Sequence, residues 1–213
     1  NSQSQRMIWL LEELDIEYNL VKYKRIDGRA PPELAKIHQL GKSPLLVTAD
    51  GRPVIETSAI VSYLLQTYDP AGKFATDDSL REEMLNSFAG SSLGPVNGVE
   101  MFLEMLPKHS PWPVSSLMRT VHRMVQKNYT TGEFVKAMRF LDSELGDNAW
   151  FNGGNMGKSD VMLSWPLDMI VQRGWVDLEG DWPRLAAWRK RILQSDTWKR
   201  GMEKGNGYDL NAF

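Results

Sequence analysis

The sequence contains no cysteine, which excludes disulfides, thiolate metal sites and any mechanism that uses a thiol of the protein itself. That usage fits a reducing compartment, and a cytoplasmic location is expected. An excess of either charge is also lacking. With 25 basic and 27 acidic residues, the chain has no electrostatic footprint for nucleic acid or for an anionic membrane surface. Histidine is scarce: His38, His109 and His122 show no metal-ligand spacing, so no metal site is expected and surface or satisfied core roles are. No apolar run approaches the roughly 18–20 residues that cross a bilayer, and no transmembrane segment is expected. Internal repeats and low-complexity segments are missing as well. Tryptophan, by contrast, is plentiful at 8 in 213 residues. Trp9, Trp165, Trp188 and Trp198 sit in apolar helical patterns and are expected in the core.

What is present is organised around residues 41–60, GKSPLLVTADGRPVIETSAI. Leu45, Leu46 and Val47 form a short apolar run, Asp50-Gly51 signals a tight turn, and Val54-Ile55 begins a second run, so the pattern predicts a β-hairpin. The second strand leads directly into Glu56-Thr57-Ser58, and Ile60, Val61, Leu64 and Leu65 then recur at helical spacing. A helix start leaves backbone N–H groups unpaired and carries partial positive charge, which suits a carboxylate ligand. Ahead of the hairpin, Pro44 falls where a missing N–H is tolerated, and a cis bond there would aim the backbone of Ser43 outward. An ordinary hairpin followed by a helix fits the same pattern.

The first seventy residues read helix, strand, short helix, strand, strand, helix. Asn1 to Gln5 reads as a polar N-cap cluster before MIWLLEEL, residues 18–23 as a strand, and PPELAKI as a short helix with proline at its favoured start. A helix feeding a parallel strand needs a sheet already laid down, so a further strand is expected N-terminal of Asn1. From Ser79 the pattern is helical only. A kinked helix is expected over 79–106, a proline corner over 107–114, a long helix over 115–145 with an interruption near Thr130, a buried helix opening at Ser159-Asp160, and two amphipathic helices before an irregular tail. The fold class is therefore an α/β unit over 1–70, a linker over 71–78 and an all-α unit over 79–213.

Three segments carry a family resemblance. HQLGKSPLL resembles the N-P-x-G-K-[VIS]-P-x-L segment of the glutathione transferase family, and VIETSAIVSYL resembles its following [LI]-x-E-S-x-A-I-x-x-Y-L. KSDVMLSWPL is similar to the family's [ST]-x-A-D-[IV]-x-x-x-x-P helix-capping segment. The stretches SQSQRMIWLLEELDIEY and YKRIDGRAPPELAKIHQLGKSPLL look most like fungal and some bacterial members, so the likeness covers nearly the whole chain. It implies a thioredoxin-like N-terminal domain that binds glutathione, an all-helical C-terminal domain and a homodimer. By resemblance, Pro44 matches the cis-proline, the backbone of Ser43 pairs with the cysteinyl part of glutathione, and Lys42 contacts its glycine carboxylate. Glu56 and Thr57 match the pair that holds the γ-glutamyl end. The sequence departs from the pattern at His38-Gln39, at Gly157 in the capping segment, and at the start of the first helix.

That last departure bears on the chemistry. A thiol near pKa 8.5 is mostly protonated at neutral pH, so a transferase must stabilise the thiolate. One hydroxyl hydrogen bond and a helix N-terminus lower such a pKa by roughly 1–2 units. Ser2 is the expected hydroxyl, with Asn1 and Ser4 as rivals; plain N-capping accounts for the same serines. The resemblance implies an enzyme that joins glutathione to small apolar electrophiles, and that also reduces organic hydroperoxides, with glutathione as co-substrate and no other cofactor. The electrophile pocket is expected between the domains, walled by the helices after Ser79. The alternative is a non-catalytic relative that keeps the fold as a binding or assembly module.

Overall fold

The computed structural model describes residues 3–26 and 29–211. Helix α1 (Ser4–Glu13) is buried along nearly its whole length, its polar first turn included: Gln5 and Arg6 are as enclosed as Met7, Ile8 and Leu10. Of the expected N-cap cluster, Asn1 and Ser2 lie outside the described residues. Gln3 sits at the cap position in helical conformation and its side chain caps nothing. The reason lies in its partners, since the Gln3 amide is engaged by Arg6 and Thr57 instead.

Residues 18–23 have no regular secondary structure and form no ladder among the described residues, contrary to the strand expected there. Alternating side chains set an extended backbone; a strand also needs a neighbour for its N–H and C=O groups. The short helix follows as α2 (Glu33–Ile37), then β1 (Leu45–Val47) and β2 (Pro53–Ile55). These two strands are antiparallel, in the register Leu45↔Ile55, Leu46↔Val54, Val47↔Pro53. Their connection is longer than the expected two-residue turn. Thr48 N–H donates to the Arg52 carbonyl at 2.9 Å, and Gly51 takes a φ of 82°. This is the three-residue loop that closes on a left-handed residue, for which glycine is suited. Helix α3 (Thr57–Tyr68) begins immediately after β2 and buries Ile60, Val61 and Leu64.

The rest of the described chain is helical. Asp78 caps α4 (Ser79–Ser87) by accepting from Arg81 N–H at 3.0 Å. A π-turn over Phe88–Leu93 joins α4 to α5 (Gly94–His109), so the expected kink is a widened turn. Pro107 lies within the last turn of α5, where its missing N–H costs a single helical bond; the helix enters the expected corner as far as His109, and the break before α6 falls at residues 110–113 within it.

Helix α6 (Val114–Val125), a second π-turn (Gln126–Thr130) and α7 (Thr131–Leu145) make up the long helix. The fully buried Glu100 of α5 explains the interruption. It accepts from His122 Nε2 at 2.7 Å, from Gln126 Nε2 at 2.8 Å and from the Thr130 hydroxyl. These donors, four residues apart, lie on one side of the helix. His122 is thus a half-buried histidine with a buried carboxylate as its partner.

Helix α8 (Lys158–Gln172) is the central helix of this part, buried on most sides. Gly157 at its cap has no side chain to offer, and Asp160 supplies what the cap lacks. Its carboxylate accepts from the backbone N–H of Gly157 at 2.8 Å and of Phe151 at 3.0 Å, and from Trp188 Nε1 at 2.7 Å. Helices α9 (Leu178–Asp181), α10 (Pro183–Gln194) and α11 (Asp196–Lys204) complete the chain. The tail is irregular yet anchored: Tyr208 donates to Asp168 at 2.7 Å, and Leu210 is buried. Helix α1 packs against α3, α8 and α11 and so ties the α/β part to the helical part. Trp9 and Trp198 meet edge-to-face at 5.3 Å, and Gly201 of α11 lies so close that a Cβ there would stand 3.2 Å from the Trp9 backbone. Trp188 is core as expected, whereas Trp165 is half-buried, with the Arg6 guanidinium 5.9 Å from its ring.

Candidate functional site

The hairpin register decides what meets at its open end. Leu45 stands opposite Ile55, so Pro44, one residue before, reaches the same end as Glu56, one residue after. Ser43 and Thr57 follow at the next position on either side. The Ser43–Pro44 bond is cis, and Ser43 and Lys42 are exposed beside it.

Glu56 occupies the cap of α3 rather than its first turn, with φ 66° and ψ 121°, a left-handed setting unusual for a residue with a side chain. Such a conformation costs about 1–3 kcal/mol, and it leaves the carboxylate exposed at the helix mouth. Among the described residues, α3 has no side-chain hydrogen bond from its N-cap residue. Its first N–H groups therefore remain available to an acceptor from outside.

Thr57 is buried, and its hydroxyl donates to Gln3 Oε1 at 3.0 Å. The same oxygen accepts from Arg6 Nη2, while Arg6 Nη1 donates to the carbonyl of Met162 in α8. Met162 is four residues before Pro166, which has no N–H to give, so its carbonyl lacks the usual helical partner. Arg6 fills that place. Burial pulls the guanidinium down to about 10, still cationic at neutral pH.

The structure thus brings Ser43, Pro44, Glu56 and Thr57 to one end of the hairpin, with Lys42 on the loop leading in. Asn1 and Ser2 lie outside the described residues. Ser4 opens α1 and lines a cavity of about 650 Å³, together with Ile8, Leu11, Pro44, Leu46 and Ile60. That cavity lies between α1, the segment 16–23, β1 and α3, within the α/β part. On the helices after Ser79, Phe88 is packed against Phe140 at 4.8 Å, while Phe102 is exposed on α5. Gln3 and Arg6 escaped the sequence reading. The one signal for them was a long polar pair spaced i, i+3 at the head of an otherwise apolar helix. Among the described residues no group of His, Asp and Glu is arranged to hold a metal ion.

Comparison with known proteins bears directly on this arrangement. The sequence models of the glutathione S-transferase N-terminal and C-terminal domains match residues 1–66 and 127–191. Glutathione S-transferase 1 of Saccharomyces cerevisiae is 32% identical over 222 residues, spanning 99% of this chain and 94% of that protein. The chain belongs to the glutathione S-transferase family. Glutathione S-transferase 3 of Schizosaccharomyces pombe is 28% identical over 216 residues, covering 100% of this chain and 88% of its own length. Among solved structures, a glutathione S-transferase from Actinobacillus pleuropneumoniae superposes with a TM-score of 0.74 at 25% identity, covering 100% of this chain and 93% of that one. A glutathione transferase from Phanerochaete chrysosporium, solved with oxidized glutathione, has the same fold, with a TM-score of 0.74 at 24% identity over 96% of this chain and 90% of that one. The α/β part is accordingly the family's thioredoxin-like N-terminal domain, here with a two-stranded sheet, and the remainder its helical C-terminal domain. No described helix is long and apolar enough to cross a membrane.

Proposed function

We propose that the chain is a glutathione transferase enzyme in which the hairpin end grips the tripeptide and the head of α1 activates its sulfur. The observation that carries this reading is the hairpin register, which sets the Ser43–Pro44 elbow beside the uncapped mouth of α3. In this reading the backbone of Ser43, turned by Pro44, pairs with the cysteinyl unit, and Lys42 meets the glycine carboxylate. The N–H groups at Thr57 and beyond take the γ-glutamyl carboxylate, and Glu56 faces its ammonium.

The Ser2 hydroxyl, with Asn1 as the rival donor, hydrogen-bonds the sulfur. Together with the N-terminus of α1 it lowers a thiol pKa near 8.5 by roughly 1–2 units. The thiolate then attacks a small apolar electrophile, forming a carbon–sulfur bond as the leaving group departs with its electron pair. With an organic hydroperoxide the sulfur bonds the terminal oxygen as the O–O bond breaks, and the alkoxide leaves as the alcohol after protonation. A second glutathione thiol converts the resulting sulfenic acid to the disulfide with loss of water. Residues 1–70 form the glutathione-binding domain, 71–78 the linker and 79–213 the helical domain, and the enzyme works as a cytoplasmic homodimer.

The test is the ultraviolet absorbance of bound thiolate near neutral pH, in wild type and in Ser2→Ala. A signal in wild type that disappears in the variant is the expected result. An unchanged signal clears Ser2 of the role, and no signal in either protein favours a binding module over an enzyme.

A further inference from the structure

The side chains at the head of α1 leave it in different directions. Gln3 and Arg6 reach Thr57 and Met162, Ser4 lines the cavity, and the buried Gln5 is taken up by the C-terminal tail. Gln5 Nε2 donates to the carbonyl of Gly207. Two glycines shape this seat. A Cβ at Gly205 would overlap the Gln5 amide, and Gly207 turns with a φ of 80°, which a side chain disfavours. Beyond the seat the tail is fastened to α8. Tyr208 donates to Asp168 at 2.7 Å, Arg189 of α10 donates to the same carboxylate, and Leu210 N–H donates to Gln172 Oε1 at 3.0 Å. The Tyr208 ring also meets Trp198 edge-to-face at 5.0 Å, the tryptophan that packs on Trp9 of α1.

We propose that residues 205–211 form a strap that holds the head of α1 in place against the bound sulfur, with Gln5 as the positioning residue and Tyr208 as the anchor. This rests on the reading that the head of α1 stabilises the glutathione thiolate. A hydrogen bond and a helix N-terminus stabilise a charge only at short range, so a first turn displaced by about 1 Å loses much of its effect. The first turn is also where a helix frays, because its leading N–H groups have no partner within it. Gln3 and Arg6 tie that turn to α3 and α8, and Gln5 ties it to a tail that is itself fixed on α8. The strap's bonds go to α1 and α8, whereas the ends of the tripeptide are gripped at the hairpin and α3. Loosening the strap therefore raises the pKa of the bound thiol and leaves the grip on the tripeptide unchanged.

Two measurements on wild type, Gln5→Met, Tyr208→Phe and the double variant test this. One is the pH dependence of the thiolate absorbance at saturating glutathione. The other is the glutathione affinity by calorimetry at about pH 5, where the bound thiol is protonated and its pKa does not enter. Each single variant should raise the bound-thiol pKa by about 0.5–1 unit, part of the roughly 1–2 units ascribed to the head of α1, with the affinity held within about twofold. The double variant should shift no further than the larger single one, because both residues act through one strap. Gly207→Ala strains the tail from an exposed position with open space around the new methyl, and should give the same shift; it takes the place of Gln5→Met should that variant not fold. An unchanged thiol pKa in these variants overturns the proposal and leaves the activating role of the head of α1 standing. A loss of affinity without a pKa shift reduces the strap to structural support and overturns the proposal as well. No thiolate signal in wild type is a different outcome: it overturns the reading of the head of α1, and the strap's role with it.

Discussion

Arg6 and Pro166 are expected to be energetically coupled although 160 residues separate them in sequence. Pro166 deprives the Met162 carbonyl of its helical partner, and Arg6 Nη1 replaces it. Replacing Arg6 by Met removes the guanidinium, fills similar space beside Trp165, and strands a buried carbonyl at a cost of about 1–3 kcal/mol. In a Pro166→Ala background the restored N–H at 166 can take up that carbonyl, and the same substitution no longer carries this penalty. The loss of the Gln3 bond and of the contact with Trp165 occurs in both backgrounds and cancels. Urea unfolding of wild type, the two single variants and the double variant should give a coupling of about 1–3 kcal/mol, with Arg6→Met less harmful when Ala occupies 166. Additivity within about 0.5 kcal/mol would refute the carbonyl-replacement reasoning.

Three further outcomes follow from named contacts. Glu56→Gly should raise stability by about 1 kcal/mol, because glycine accepts the φ of 66° without strain, while weakening glutathione binding; a fall in the urea midpoint contradicts it. Burial lifts the Asp160 carboxyl from 3.8 to about 6, so the folded chain holds this proton more tightly than the unfolded one. The Asp160 contribution is therefore greatest below about pH 4 and falls by about 3 kcal/mol as pH rises through about 6. The stability gap between wild type and Asp160→Asn should shrink over that window, and a gap that widens would mean the three N–H donors outweigh burial. Gly201→Ala should lose about 1 kcal/mol by thermal or urea unfolding, since overpacking against the fixed Trp9 backbone exceeds the helix-propensity gain; a more stable variant contradicts this.

How much of this could be read in advance depends on whether a feature is local. The hairpin and its end-on connection to α3 follow from residues within about fifteen positions of one another, and periodicity plus turn chemistry express them, whereas the three-residue loop that sets the register does not show in the Asp50-Gly51 signal. The buried face of α8 was equally legible, because its apolar residues are continuous. Residues 18–23 show the limit: alternation describes the segment, but the pairing belongs to a neighbour. The Gln3–Thr57 and Arg6–Met162 bonds, spanning 54 and 156 positions, leave no local trace beyond polar residues where a cap is plausible. Gly201 marks a close approach to Trp9 that only the packed helices reveal. The π-turn at Gln126–Thr130 faces Glu100, a carboxylate on a different helix that accepts from both ends of the turn, and such a partner leaves no local trace.

The account turns on whether the mouth of α3 and the elbow ahead of β1 hold one tripeptide between them. Calorimetric titration of the chain with reduced glutathione, in wild type and in Glu56→Ala, measures this directly. One binding event per chain, with a clear heat that Glu56→Ala greatly weakens, is the predicted result. No heat in wild type, or an affinity indifferent to Glu56, would contradict it.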